Sequence, residues 1–491
     1  MKVNLLASLF GRGWTALLGV AVAPILFKYL GAEAYGLIGL YMTAQGLFTV
    51  LDMGLSATAT REFSGSFAEP TSKRAARDLL RTLEVVYITV GITIAAVAFA
   101  APLMISGWLN IKVLDKDIVE QALALLFLAA GAQWPFGLYA GTLMGRERQV
   151  TLNILIGVAA TLRWVGGAAI VMFGGSILGY FAWQVFIGIA QTTAGACVAW
   201  SAMPTDTNRP HFSFERLQKV SHFALGVTGI TLTGVLLSQT DRIVIGTLLP
   251  LDALGYYSFA ATAAAIPYLA AGPVQSVAYP MLSRLLNDDN LSEVVAVYHK
   301  FSRLMAVLLI PASLVGALFS EALVGFWTGN EELTRQTYLV AALLTVGSAI
   351  NGIVYLPYSL QLAAGKTRFW LGVNLLSLIL HVPILIYATS SFGVVGAALA
   401  WCCLNLGYLF VAVPFVHRSF LCGQLRGWYL TDLGWPFGVS AIVGIVGLQV
   451  SSLIQELSVR VAFVFGVWLV AALLSAAPFV MRLKPRIALS I

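Results

Sequence analysis

The chain has 491 residues, 59% hydrophobic and only 10% charged, with a formal net charge of +7. A soluble globular domain carries about 25% charged residues, so the composition excludes one. Apolar runs of about 20 residues, enough to cross a hydrocarbon core about 30 Å thick, recur from end to end, and solid runs of that kind exclude a transmembrane barrel.

The expected fold class is therefore an all-α polytopic membrane protein with about 14 transmembrane helices. In chain order the spans fall near 4–29, 35–57, 85–109, 120–142, 151–174, 177–202, 222–249, 253–283, 302–327, 335–363, 368–388, 392–416, 427–452 and 460–481. The opening "MKVNLLASLFGRGW" loosely resembles a signal peptide. Arg12 interrupts its apolar part and "AVAP" is a poor cleavage site, so it reads as a retained first helix. Between spans 2 and 3, "PTSKRAARDLLRTLE" (70–84) is basic and amphipathic, which places it on the cytoplasmic membrane surface.

The basic excess is distributed as the positive-inside rule requires. About 21 of the 29 Lys and Arg fall on one side if the N-terminus is cytoplasmic, among them Arg61, Lys73, Arg74, Arg146, Arg209, Arg368, Arg418 and Lys484. The opposite loops are short and carry Glu33, Asp115, Asp117, Asp252, Glu331, Glu332 and Glu456. Both termini are thus expected in the cytoplasm. The charge is an orientation signal and a contact for anionic membrane lipids, with no nucleic acid implied. Cys197, Cys402, Cys403 and Cys422 lie in spans or on the cytoplasmic side, so no disulfide framework follows.

One half of the chain repeats the other. "LGAEAYGLI" (30–38) matches "LPLDALGYY" (249–257), "GRER" (145–148) matches "GKTR" (365–368), and "ILGYFAW" (177–183) matches "VVGAALAW" (394–401). Offsets of 217 to 220 in order indicate two duplicated six-helix lobes, a parallel repeat because six is even. The division reads as an N-terminal lobe over 1–202, a cytoplasmic linker over 203–221, a C-terminal lobe over 222–418 and two further helices over 419–491.

Charge inside a span costs about 2.5–3.5 kcal/mol at the helix centre, so it faces protein or water. Arg163, in "VAATLRWVGGAAI", stands about 18 Å into its span at 1.5 Å per residue, too deep to snorkel, and is the first candidate site residue. Arg12 lies on the inner part of span 1, and Asp52, near the cytoplasmic end of span 2, is placed to pair with it. Glu321 stands toward the outer end of span 9. His381 is at mid-membrane, where the repeat sets it opposite residues 161–164. Asp241 and Arg242, adjacent in "SQTDRIVIG", point about 100° apart on a helix and cannot form an ideal local pair. Their repeat equivalents are the apolar Val22 and Ala23, so the fold does not require charge there.

Enzyme motifs fail. "AAGKT" (363–367) ends like a Walker A loop, but Leu360 stands where its first glycine belongs and no strand precedes it. No HExxH, CxxC or nucleophile elbow is present, so neither a catalytic residue nor a metal or other cofactor is expected.

"LDMGLSATATREF" (51–63), "HFALG" (222–226), "TDRIVIG" (240–246) and "LGYYSFA" (254–260) resemble the signatures of Wzx-type bacterial polysaccharide (O-antigen/exopolysaccharide) flippases of the MOP exporter superfamily. The resemblance implies a MATE-like fold with a central V-shaped cavity. It implies movement of a polyprenyl-pyrophosphate-linked oligosaccharide from the cytoplasmic to the periplasmic leaflet of the inner membrane by alternating access. Partners implied with it are a polysaccharide polymerase and glycosyltransferases. On that reading Arg163, Arg242, Arg12 and His381 contact the cargo, since arginine matches phosphate oxygens bidentately. Asp241, Asp52 and Glu321 would couple transport to a proton or sodium gradient. Two rivals stand beside it: an ion-coupled small-molecule antiporter of the same superfamily, and a membrane glycosyltransferase, polymerase or assembly scaffold. The short outer loops disfavour the enzymes.

Overall fold

The structure, a computed structural model, describes residues 2–52, 54–65, 70–205, 208–288 and 290–481. Side chains of 2–12, 70, 219–228, 230–231, 367 and 480–481 lie outside that description. The described residues are almost wholly helical, as a chain in lipid must be, since only a helix satisfies each backbone N–H and C=O within its own segment. No strand occurs among them; a single bridge joins Asn110 and Pro250.

Two compact units divide the chain at Gly255 and Tyr256. The first holds α1 (Lys2–Leu30), α2 (Ala32–Leu51), α3 (Leu55–Phe63), α4 (Pro70–Ala96), α5 (Ala101–Ser106), α6 (Lys116–Gln133), α7 (Phe136–Gly145), α8 (Gln149–Thr161), α9 (Gly167–Met172), α10 (Ile177–Ser201) and α11 (Phe214–Leu248). The division falls inside α12 (Leu251–Tyr268). The second unit continues with α13 (Ala271–Asn287), α14 (Leu291–Leu318), α15 (Ser320–Thr328), α16 (Glu331–Ala363), α17 (Thr367–Gly407), α18 (Val413–Phe420), the short turn α19 (Leu425–Gly427), α20 (Trp435–Ser451) and α21 (Leu457–Met481).

Eleven stretches among the described residues are long and apolar enough to cross a membrane. One of them, Arg368–Phe420, covers two predicted spans, which meet at Gly393, where φ is +60°. α11 stands where the seventh span was expected, and α12 with α13 where the eighth was. α11 starts at Phe214, within the stretch expected as linker; Ser213 caps it by accepting from the Arg216 N–H at 3.5 Å.

Close helix crossings depend on missing side chains, as membrane packing favours. A Cβ on Gly131 would lie 2.5 Å from the Gly91 carbonyl oxygen, and one on Gly91 2.8 Å from that of Gly131, so α4 and α6 touch backbone to backbone. Residues 70–84 do not form a separate surface helix. They are the first turns of α4, whose Leu79, Leu80 and Leu83 pack with Phe63, Tyr139 and Ala199. The buried acids Asp78 and Glu84 on that face explain the difference: each has a partner inside the unit, so the helix end is held by protein.

Candidate functional site

The polar centre of the first unit is built around Arg163. Between α8 and α9 the helix widens into a π turn, Leu162–Gly166, a distortion that recurs at functional sites. Its freed carbonyls are taken up by α10: Trp183 Nε1 donates to the Leu162 oxygen at 2.8 Å and Gln184 Nε2 to that of Arg163 at 3.4 Å. The Trp183 indole occupies space that a Cβ on Gly166 would enter at 2.6 Å.

So held, the Arg163 guanidinium reaches three other helices. Nη1 donates to Gln133 Oε1 on α6 at 2.7 Å and to the Tyr41 hydroxyl on α2 at 3.2 Å, while Nη2 donates to Gln191 Oε1 on α10 at 2.9 Å. Gln45 Nε2 also donates to Gln133 Oε1, at 2.8 Å. Every acceptor is neutral, and among the described residues no carboxylate pairs with Arg163. A guanidinium solvated by amide and phenol oxygens keeps its whole charge, in surroundings where charges attract far more strongly than in water. The arrangement can therefore attract an anion without first breaking an ion pair.

The other sequence-predicted residues fall in different settings. Asp52 follows α2 and caps α3: Oδ2 accepts from the Ser56 N–H at 3.3 Å and its hydroxyl at 2.7 Å, and Oδ1 from the Tyr87 hydroxyl. Arg12, its expected partner, lies outside the described side chains. Asp241 is buried and accepts from the backbone N–H of Arg242 at 2.8 Å, while the Arg242 guanidinium turns to Gln239 Oε1 at 3.2 Å. The buried Arg242 Nε has no partner among the described residues. Gln239 in turn sits against Gly46, one residue from Gln45, which sets Arg242 near the α2 side of the Arg163 network.

In the second unit, His381 is buried and lines a largely apolar groove of about 580 Å³ on α17 and α18, with Arg368 among its lining residues. A polar cluster of Asn351, Asn405 and Tyr268 lies in the same unit, with Asn351 Nδ2 donating to Asn405 Oδ1 at 2.8 Å. Gln133 and Asn351 are 218 residues apart, as are Arg163 and His381. Exposed Glu321 borders a more polar pocket of about 690 Å³ with Glu331, Arg335 and Arg460.

Three buried acids have roles the sequence reading did not assign. Glu33, expected as an outer-loop charge, accepts from the backbone N–H groups of Lys112, Val113 and Leu114 at 2.7 to 3.0 Å. Asp78 accepts from the His211 backbone N–H at 3.1 Å and faces its Nδ1 at 3.2 Å. Asp432 is fully buried, with Arg303 Nε on Oδ1 at 2.7 Å and His299 Nδ1 on Oδ2. The one signal of this last cluster was a lone acid in an apolar stretch, "WYLTDLGW".

Comparison with known proteins places this geometry in a family. The chain is 20% identical over 401 residues to a Shigella flexneri protein named as an O-antigen transporter, covering 81% of this chain and 93% of the relative. It is 24% identical over 462 residues to a Haloferax volcanii protein named as the low-salt glycan biosynthesis flippase Agl15, covering 92% and 90%. Among solved structures, the lipid II flippase MurJ in an inward closed conformation superposes with a TM-score of 0.74 at 13% identity, covering 98% of this chain and all of that one. An inward-facing multidrug resistance MATE family transporter of the MOP superfamily follows at 0.70 and 12%, covering 86% and 96%. These structures show the fold, that of the MATE-like MOP transporters, in a multi-pass membrane protein. The polysaccharide biosynthesis protein family matches residues 25–332, and the chain belongs to it.

Proposed function

We propose that this protein is a flippase that carries a polyprenyl-pyrophosphate-linked oligosaccharide from the cytoplasmic to the periplasmic leaflet of the inner membrane, by alternating access, for surface polysaccharide biosynthesis. The observation that carries the reading is Arg163: a deep cation held by Tyr41, Gln133 and Gln191, with no carboxylate beside it among the described residues. A pyrophosphate head needs such a charge at depth, and sugar hydroxyls suit the amides around it. Relatives named as an O-antigen transporter and a glycan biosynthesis flippase support the same substrate class.

On this reading Arg163 is the principal phosphate contact and Arg242, whose Nε has no partner among the described residues, the second; Arg12 and His381 complete the set. Asp241, Asp52 and Glu321 are the proposed coupling acids for a proton or sodium gradient. The lobes run over 1–202 and 222–418 about a linker at 203–221, followed by the helices of 419–491, with both termini in the cytoplasm. The protein works beside glycosyltransferases and a polymerase, and has no catalytic residue of its own.

The test is reconstitution. Vesicles holding the protein and a fluorescent polyprenyl-pyrophosphate oligosaccharide should expose the label to a membrane-impermeant quencher faster than empty vesicles. Equal rates, with cationic drugs transported instead, would replace this reading with the antiporter.

A further inference from the structure

The groove of about 580 Å³ in the second unit is shaped by two arms of α17, divided at Gly393, and by α18. Leu376, Leu380 and Ile384 fall four residues apart on one face of the first arm, and all three are exposed. The other side runs from Ala400 and Leu404 to Val411 and Phe415, through the π turn Tyr408–Ala412 that joins α17 to α18. Each side has a gap: a Cβ on Gly372 or on Gly407 would meet nothing within 4 Å.

Charge stands at one end of this groove. Arg368 lines it beside Phe369, whose ring lies 6.3 Å from that of Phe415, and the Arg418 guanidinium lies 5.9 Å from the Phe415 ring. No acidic residue lines it among the described residues, and Ile384 and Ala400, toward the Gly393 bend, are apolar. A fitting occupant carries an anion at one end and hydrocarbon along the rest. Phosphate oxygens match the arginine end, so the occupant is a phosphate-headed lipid.

Length decides which lipid. Phe369 and Ile384 are fifteen positions apart, about 22 Å of helix. One leaflet offers about 15 Å of hydrocarbon, half of a core about 30 Å thick. A helix tilt of about 20° shortens the groove by little. A phospholipid chain ends near the bilayer centre and would leave the far end of the groove empty. A polyprenyl chain is long enough to fill it, and the open positions at Gly372 and Gly407 leave room for its methyl branches.

We propose that this groove binds the polyprenyl chain of the lipid-linked cargo, with its phosphate at Arg368 and the chain running past His381 to Ile384 and Ala400. The proposal rests on the flippase reading for the identity of the lipid, and it assigns the hydrocarbon half of the cargo to residues of its own. His381 then meets the chain and not the sugar.

The test uses the purified full-length chain and undecaprenyl phosphate carrying a photoreactive diazirine along its chain. Mass spectrometry of the irradiated wild type should place the crosslinks on residues of 376–384 and 400–411. Phosphatidylglycerol in excess should leave them in place. Gly372→Leu and Gly407→Leu, which fill open space, should each weaken labelling by about fourfold or more, the loss of contact with one or more CH₂ groups. Arg368→Gln should weaken it by about tenfold, the loss of a charged hydrogen bond. Crosslinks elsewhere in the wild type, or none, would overturn the proposal, as would displacement by phosphatidylglycerol or labelling unchanged in folded leucine variants. The wild-type map needs no variant to fold. A wild type labelled in the groove that flips no lipid-linked glycan would sink the flippase reading and leave the chain site standing; flipping without label in the groove would do the reverse.

Discussion

Gly36 and Gly255 make the same contact in opposite directions. A Cβ on Gly36 would lie 2.6 Å from the Leu251 carbonyl oxygen, and one on Gly255 2.0 Å from that of Ala32. Residues 32 and 36 correspond to 251 and 255 at the repeat spacing of 219, so each glycine meets the counterpart of the carbonyl its own helix offers. Such reciprocity is the mark of like segments packed about a local two-fold axis. The repeat found in the sequence thus has a physical contact at its first matching pair.

Backbone carbonyls cannot move aside as side chains do, so Gly255→Ala should destabilise the protein by about 1–3 kcal/mol. Gly36→Ala should act similarly. Because the two sites share one crossing, their double variant should cost measurably less or more than the sum. Thermal unfolding of the purified variants checks this, and strict additivity would show that the contacts are independent.

Arg163→Ala should reduce lipid-linked glycan flipping by about tenfold or more, since a charged donor's hydrogen bond contributes about 1.5–3 kcal/mol. Arg163→Lys should recover only part, because one ammonium cannot span Gln133 and Gln191 as the guanidinium fork does. The rate is measured in vesicles with matched protein content. Wild-type flipping by the alanine variant would remove Arg163 from the cargo path.

For Asp52 the two roles separate by substitution. Asp52→Ala removes the α3 cap and leaves the Tyr87 hydroxyl without its partner, a loss of about 1–3 kcal/mol. Asp52→Asn keeps one oxygen to accept from the Ser56 N–H and can donate its NH2 to the Tyr87 hydroxyl oxygen, so it should melt close to the wild type. If the asparagine variant is stable yet fails to transport, a coupling role follows; if it transports normally, Asp52 is a cap.

Glu33→Ala should cost more than a typical surface acid, about 1–3 kcal/mol, because the backbone N–H groups of 112–114 lose a shared, buried acceptor together. Glu33→Gln offers one oxygen in place of two and should fall between. A melting temperature unchanged in Glu33→Ala would mean that this loop is held by something else.

The spans were legible because lipid imposes one solution on every backbone group, and a run of apolar residues is all that is needed to announce it. Arg163 was legible for the complementary reason: depth in such a run makes a cation costly. Its partners were not. They come from positions 28 to 122 residues away, and an amide in a membrane helix has no pattern that names its neighbour. The π turn at 162–166 was hidden as well, since it needs no particular residue type. Residues 70–84 were misread because amphipathicity alone does not tell a lipid surface from a protein one; Asp78 and Glu84 on the apolar side were the clue. Asp432 was as conspicuous as Arg163 in composition, but its partners His299 and Arg303 lie on a helix some 130 residues earlier, at 133 and 129 positions' remove.

The connection from α10 to α11 is fastened near both of its ends. Arg146 Nε donates to the Ala202 carbonyl at 3.3 Å, Arg77 Nη1 to that of Pro204 at 3.4 Å, and Asp78 and Thr82 accept from the His211 and Ser213 N–H groups at 3.1 and 3.0 Å. A strap sewn down on both sides of a cut does not part when it is cut. A break in the backbone at Arg209 would leave Ala202 and Pro204 clasped on one side and His211 and Ser213 on the other, and the two fragments would hold together as one protein. Continuity of the chain matters here while it folds, and far less once it has folded.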